Sequence, residues 1–366
     1  MKNIAQTTLL AFLLGTGSLA TAEHHSNAEH DGNQVKHVGY GELGDPATVL
    51  EVKTEASRAL GQGEVRVTVL AAPINPSDLL QIAGDYGVDP VLPARPGSEG
   101  VGRVIEVSPD VQALKVGQLV LLASGSTWAE ELVAPAAGFL PLPDLGPIGA
   151  DVIEQLAMST VNPLTALLML TSYTDVAEGQ WIAQSAANSA LGGYVIQLAK
   201  QRGIKTVNIV RREGLAEELM ARGADVVLID GPNLAADIAK ATGNAPIVLA
   251  LDPVGGDTYG RLADSLGYSG TLVTFGVLSG KPATLDTRRL IGNDIRLRGF
   301  WLYKWFQTAT MQEKQAAFGE VIPLIANGTL KADIDSRFTI DEIKEAVSRS
   351  KEGGRNGKVL IVPSPL

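Results

Sequence analysis

Cysteine is absent from this 366-residue chain, and its four histidines, His24, His25, His30 and His37, all precede residue 38. Disulfides are therefore excluded, and from Val38 onward the chain lacks both the usual zinc ligands and the commonest general base. We assign no metal site, because the clustered histidines sit in a polar stretch with the composition of a disordered leader. Beyond residue 22 no apolar run approaches the ~18 residues needed to cross a bilayer, so no membrane span is expected. Clustered cations are lacking too. Thirty Lys and Arg against 40 Asp and Glu leave a net charge of −10, which argues against a nucleic-acid partner.

What is present begins with Met1–Ala22: a basic start, an apolar centre and an Ala20-x-Ala22 ending, the three parts of a secretory signal. This predicts cleavage before Glu23 and an exported, periplasmic protein, with an uncleaved extension on a cytoplasmic protein as the alternative. Residues 23–37 are expected to form the disordered, His-containing leader.

The most informative stretch is Trp181–Lys200 followed by Val207-Asn-Ile-Val-Arg-Arg212. It reads as strand, small-residue turn, helix and second strand. In a doubly wound sheet a dinucleotide lies across the C-terminal strand edge, its pyrophosphate on the N–H groups that open the first helix. The turn departs from G-x-G-x-x-G and keeps only Gly192 and Gly193, so the motif alone also fits an ordinary packed turn. The two arginines add to it: a carboxylate after the second strand suits a ribose 2′-hydroxyl, whereas Arg211 and Arg212 suit a 2′-phosphate, which favours NADPH over NADH. A helix at Glu217–Arg222, a strand at 225–230 and apolar runs at Ile247–Asp252 and Gly270–Gly276 continue the alternation of a parallel sheet covered on both faces.

Residues 38–158 are rich in strand signals, among them Glu64–Leu70, Gly100–Val107 and Gln118–Leu122, punctuated by Pro and Gly as in a barrel with long loops. After residue 302 the sequence predicts helices at Gln312–Ile325 and Thr339–Val347 and a closing strand at Gly357–Val362. The expected fold is α/β: a β-barrel domain from 38–158 and 303–366, and a Rossmann domain from 159–302.

With both parts in view the chain resembles the medium-chain dehydrogenase/reductase superfamily, and within it the zinc-independent, mitochondrial-type 2-enoyl thioester reductases. The residues that carry the likeness are Ile74-Asn-Pro-Ser-Asp78, Gly84-Asp-Tyr-Gly87, Pro96-Gly-Ser-Glu-Gly100, Val161-Asn-Pro-Leu-Thr-Ala166, Ala187-Asn-Ser189, Asn208-Ile-Val-Arg211 and Arg298-Gly-Phe-Trp-Leu302. The resemblance implies a GroES-like catalytic domain, NADPH as cofactor and a homodimer paired through the cofactor domain, for which an apolar edge strand near Leu272–Val277 is a candidate. Zinc-dependent members carry Cys and His where this chain has Asn75 and Ser98. A reacting carbonyl must then be polarised by hydrogen bonds or a proton donor.

Reduction of an α,β-unsaturated thioester needs hydride at Cβ and a proton at Cα while charge passes through the thioester oxygen. Tyr86 matches the family's donor, and a phenol titrating near ~10 stays protonated at neutral pH; as an alternative it is a packed turn residue. Asp85 stands where these reductases often have Asn. Asn75 is a candidate to bond substrate, nicotinamide ribose or Tyr86, or else caps a turn. Trp301 matches an aromatic near the substrate pocket, or packs in a core with Phe300, Trp305 and Phe306. The cofactor is expected on Asn162, Thr165, Asn188, Ser189, Ala190, Leu191, Gly192, Arg211, Arg212, Phe275, Gly276, Val277, Phe300, Trp301 and Lys358. Arg288, Arg289, Arg296 and Arg298 either gather near the cleft or form a solvated face. The expected activity is NADPH-dependent reduction of the C2–C3 double bond of 2-enoyl thioesters. The alternatives are a zinc-independent quinone or enone oxidoreductase of the same superfamily, or a catalytically silent NADPH-binding protein. An exported enzyme would conflict with the supply of NADPH, a cytoplasmic currency.

Overall fold

The structure, a computed structural model, describes residues 34–363. The signal sequence expected at 1–22 and the leader up to residue 33 lie outside the described residues. In chain order the strands are β1 Gln34–Gly39, β2 Glu51–Ala56, β3 Glu64–Pro73, β4 Val101–Val107, β5 Leu119–Leu122, β6 Glu131–Pro135, β7 Phe139–Pro141, β8 Trp181–Gln184, β9 Lys205–Val210, β10 Val226–Ile229, β11 Ile247–Asp252, β12 Leu266–Thr274, β13 Arg296–Gly299, β14 Ile334–Phe338 and β15 Lys358–Ile361.

The chain divides into two compact units. The first takes residues up to Thr160, Phe306–Gln315 and from Asp333 onward; the second takes Val161–Trp305 and Ala316–Ala332. Residues 303–305 and 316–332 thus pack with the second unit, whereas the sequence reading put everything after 302 in the first. The reason is that the helix Met311–Ala326 is continuous across the boundary, and helical periodicity does not say which core each turn joins.

In the first unit a long sheet runs β14-β15-β3-β4-β5-β7, with β6 also on β3, beside a two-stranded β1-β2 ribbon. The closing strand returns as expected to antiparallel pairing with β3, Leu360 opposite Pro73 and Ile361 opposite Ala72. Val38, Val65, Val67, Val69, Trp128, Val359 and Ile361 share its core. Although β3 alternates polar and apolar residues, it is covered on both faces. Arg66 is buried, with its guanidinium on Glu106, Glu131, Ser57 and the Arg58 carbonyl.

One correction falls at the start of this unit. Residues 34–37, assigned to the disordered leader, are strand: β1 pairs antiparallel with β2 from Gln34 opposite Ala56 to Gly39 opposite Glu51. The leader's average composition hid the apolar Val35, and β1 buries both faces, Val35 and His37 on one and Val38 on the other. His37 is consequently buried, and desolvation, aided by Arg95, holds its imidazole below the usual histidine range.

In the second unit all strand pairs are parallel and the order is β10-β9-β8-β11-β12-β13. Renumbered from β8 this is 3-2-1-4-5-6, the doubly wound order whose reversal at β8/β11 opens a crevice at the C-terminal edge. The candidate edge strand near Leu272–Val277 is not an edge. β12 pairs with β11 on one side and β13 on the other, leaving Arg296–Gly299 outermost. The charged Arg-Leu-Arg-Gly sequence of β13 carries almost none of the apolar signal by which a strand is read from sequence.

Candidate active site

Four groups of cofactor candidates in the second unit lie at one sheet edge because its strands are parallel. Residues 185–192, 211–212, 275–277 and 300–301 each follow the C-terminal end of a strand, at β8, β9, β12 and β13. The helix Ala190–Gln201 opens at Ser189, whose Oγ accepts the Gly192 N–H at 3.0 Å. Gly192 is required by packing: a Cβ there would collide with the Ala187 backbone. At the mouth of the crevice Ser185 Oγ donates to Asp252 Oδ1 at 2.5 Å, while Asp252 Oδ2 accepts the Gly255 N–H at 2.8 Å. Burial raises the Asp252 carboxyl above the ordinary range, opposed by these hydrogen bonds. Asn188, Arg211, Arg212, Val277 and Trp301 are exposed; Ser189, Ala190, Leu191, Phe275, Gly276 and Phe300 are half-buried. Gly276 is also fixed by packing, since a Cβ would lie 2.9 Å from the Pro253 carbonyl oxygen.

Asn162 and Thr165 lie in the first turn of the helix Asn162–Thr171, with Thr165 buried. Trp301 is 39% exposed, and its ring centroid lies 5.0 Å from that of Tyr303. It is therefore a surface aromatic and not part of a core, and Phe300 instead meets Tyr173 edge-on at 6.4 Å. The four arginines do not form one cluster: Arg288 is paired with Asp286, Arg289 lies against Asp264, and Arg296 and Arg298 are exposed on β13.

In the first unit the positions that match zinc ligands are built differently. Asn75 precedes the helix Pro76–Ala83, where it is 1% exposed, and its backbone N–H donates to Asp78 Oδ2 at 2.8 Å. Its side chain faces inward. Lys358 Nζ donates to Asn75 Oδ1 at 2.5 Å and to the Ile74 carbonyl at 2.9 Å, and Asn75 Nδ2 donates to Glu99 Oε1 at 2.9 Å. Glu99 Oε2 accepts the Thr160 N–H at 2.9 Å. Ser98 hydrogen-bonds Asp78, whose carboxyl is raised mainly by complete burial. Lys358, expected at the cofactor, is 6% exposed and engaged on Asn75; burial lowers its ammonium to about 8, against the pull of Glu99 and Asp78. Tyr86 lies half-buried just beyond the helix Pro76–Ala83, whose end is marked by Gly84 at φ 87°.

Sequence reasoning missed Glu99, Asp78 and Asp252. The Pro96–Gly100 motif carried Glu99 without a role. Its signal was Gly97, which adopts φ 101° and has no room for a Cβ beside Thr127, as a loop packed to aim one side chain would need.

A doubly wound parallel sheet with a capped helix and two arginines at one edge, joined to a strand-rich unit, defines a dinucleotide-dependent oxidoreductase of the two-domain dehydrogenase type. The comparisons agree with this class. The alcohol dehydrogenase GroES-like domain family matches residues 61–144, and the zinc-binding dehydrogenase family matches residues 190–326. The chain is 35% identical over 325 residues to the mitochondrial enoyl-[acyl-carrier-protein] reductase of Rattus norvegicus, covering 87% of this chain and 86% of that one. Among solved structures it is similar to an Etr1p/NADP/crotonyl-CoA complex, at 28% identity and TM-score 0.81 over 90% of this chain and all of that one. A candidate NADPH:quinone reductase from Bacillus thuringiensis has the same TM-score and identity, over 90% of this chain and 99% of that one. The chain belongs to the medium-chain dehydrogenase/reductase superfamily, in the branch of the mitochondrial-type enoyl thioester reductases.

Proposed function

We propose that this protein is an NADPH-dependent enoyl thioester reductase that transfers hydride to Cβ and a proton to Cα of a 2-enoyl thioester. The observation that carries the cofactor assignment is the placement of Arg211 and Arg212, exposed at the end of β9 beside the edge where the helix Ala190–Gln201 opens. NADPH supplies the hydride. The N–H groups of the first turn of that helix receive the pyrophosphate, and Asn162, Thr165, Phe275–Val277, Phe300 and Trp301 hold the nicotinamide half. Tyr86 donates to the thioester oxygen or delivers the proton at Cα. Zinc takes no part in this reading, because an amide and a hydroxyl stand at Asn75 and Ser98, neither being a usual zinc ligand.

The likeness to a candidate quinone reductase favours one second reading, the same hydride chemistry on a quinone or enone. NADPH consumption with crotonyl-CoA, an enone and a quinone, with Tyr86→Phe alongside, separates the two. Turnover of quinone alone would reject the thioester assignment. A homodimer paired through the exposed strand β13 belongs to the same proposal, supported by the exposed Tyr268, Ile291 and Leu297 near that edge; a monomer mass by light scattering at micromolar concentration would reject it. Among the described residues no helix is long and apolar enough to cross a membrane. Export with cleavage before Glu23 is proposed from the sequence alone, and N-terminal sequencing of the protein from its native cell tests it.

A further inference from the structure

Glu99 is completely buried, and both of its carboxylate oxygens are engaged. One accepts from Asn75 Nδ2 at 2.9 Å, the other from the Thr160 backbone N–H at 2.9 Å. Asn75 fixes the start of the helix Pro76–Ala83, and Tyr86 lies three residues past the end of that helix. Thr160 is the last residue of the first unit, two positions before Asn162 and five before Thr165. Lys358 completes the chain of bonds by donating to Asn75 Oδ1, so the Asn75 amide is gripped at both ends. Each partner uses a different type of group, which fixes the orientation of the amide: a cation can bond only its oxygen, and a carboxylate only its nitrogen.

We propose that Glu99 is a positioning residue for the reduction, one that ties Asn75, at the start of the helix leading to the Tyr86 loop, to Thr160 within the same unit. It does so by accepting two hydrogen bonds on a single carboxylate, which a neutral isostere cannot reproduce. An amide in its place offers one acceptor oxygen, so either Asn75 Nδ2 or the Thr160 N–H must face an NH2 group. Charge-assisted bonds of this kind are shorter and stronger than neutral ones, so the carboxylate also defines the geometry more tightly. A displacement of about 1 Å in the reacting groups is enough to cost on the order of 100-fold in rate.

The proposal rests on the enoyl reductase reading, and the experiment keeps the two apart. Wild-type protein is first assayed with NADPH and crotonyl-CoA, an enone and a quinone; the best acceptor, whichever it is, is then used for all variants. Glu99→Gln is compared with Glu99→Asp and with Thr127→Val, which removes a bond to the Glu99 backbone carbonyl but leaves its carboxylate untouched. The expected result is a fall in kcat of roughly tenfold or more for Glu99→Gln, with the Kd for NADPH within about twofold of wild type. Glu99→Asp, which keeps the charge, should recover part of the rate, and Thr127→Val should lower Tm while leaving kcat near wild type. If Glu99→Gln does not fold, Glu99→Asp against Thr127→Val carries the comparison. Were kcat unchanged in folded Glu99 variants, or lowered equally in Thr127→Val, Glu99 would be a structural residue only and the proposal would fail. Failure of wild type to reduce crotonyl-CoA would remove the substrate reading without touching this result.

Discussion

Ser189 Oγ accepts the Gly192 N–H at 3.0 Å, closing the first turn of the helix whose N-terminus faces the C-terminal sheet edge. That turn can approach the end of β8 so closely because residue 192 has no side chain; a Cβ would strike the carbonyl oxygen, carbonyl carbon and Cα of Ala187. Rigid backbone on both sides leaves the clash no easy relief. Gly192→Ala should therefore lower stability by about 1–3 kcal/mol and weaken NADPH binding at least tenfold. Thermal unfolding and a fluorescence titration with NADPH check the two effects; tight binding with an unchanged Tm would contradict the packing argument.

Arg211 and Arg212 are the proposed partners of the 2′-phosphate. Hydrogen bonds to charged groups contribute about 1.5–3 kcal/mol each, so Arg211→Ala or Arg212→Ala singly should raise KM for NADPH by roughly 10- to 100-fold. KM for NADH should hardly change, because NADH has no 2′-phosphate to lose. Equal changes for both cofactors would show that the arginines act on something else.

Removal of the Tyr86 hydroxyl tests the chemistry. General acid catalysis contributes about 10²–10⁴-fold, so Tyr86→Phe should lose at least 100-fold in kcat while the Kd for NADPH stays close to wild type. Unimpaired kcat would leave Tyr86 a packed turn residue.

Lys358 predicts a dependence of stability on alkaline pH. Burial holds its ammonium at about 8 in the folded protein, whereas an unfolded chain keeps that proton until ~10.4. Between these values the unfolded state binds more protons than the native state, so unfolding free energy rises with pH. The gain is on the order of 3 kcal/mol across the window. Glu99 and Asp78 face the ammonium and favour its charge, while Arg355 opposes it. Denaturant titrations of wild type and Lys358→Met at pH 8 and pH 10 should show wild type gaining on the variant, and parallel pH profiles would disprove the assignment.

The legible part of the fold was the part written in local pattern. The strand at Ile247–Asp252 is read from sequence with the boundaries the structure gives it. The helix expected at Gln312–Ile325 is found at Met311–Ala326, and the strand expected at Gly357–Val362 at Lys358–Ile361. Apolar runs and helical periodicity are properties of neighbouring residues. The outermost strand β13 escapes a sequence reading because Arg296-Leu-Arg-Gly299 resembles a loop until β12 supplies hydrogen bonds. Composition averaged over a window puts residues 34–37 in the leader, and β1 acquires its meaning only from β2, whose paired residues lie 12 to 22 positions on.

Among the proposed site residues, those lying on a motif are legible in the sequence. The turn before Gly192, the arginines after β9 and the Tyr86 loop are contiguous in the chain, and each states its chemistry locally. What the sequence by itself determined is thus the class of fold and the types of reactive group available. Only the tertiary structure decided how Asn75 is held, because its partners Glu99 and Lys358 lie 24 and 283 residues away. Burial is a property of the assembled core and not of any segment. It is burial that makes an ammonium, an amide and a carboxylate find one another, since none of them can be left in the interior without a partner.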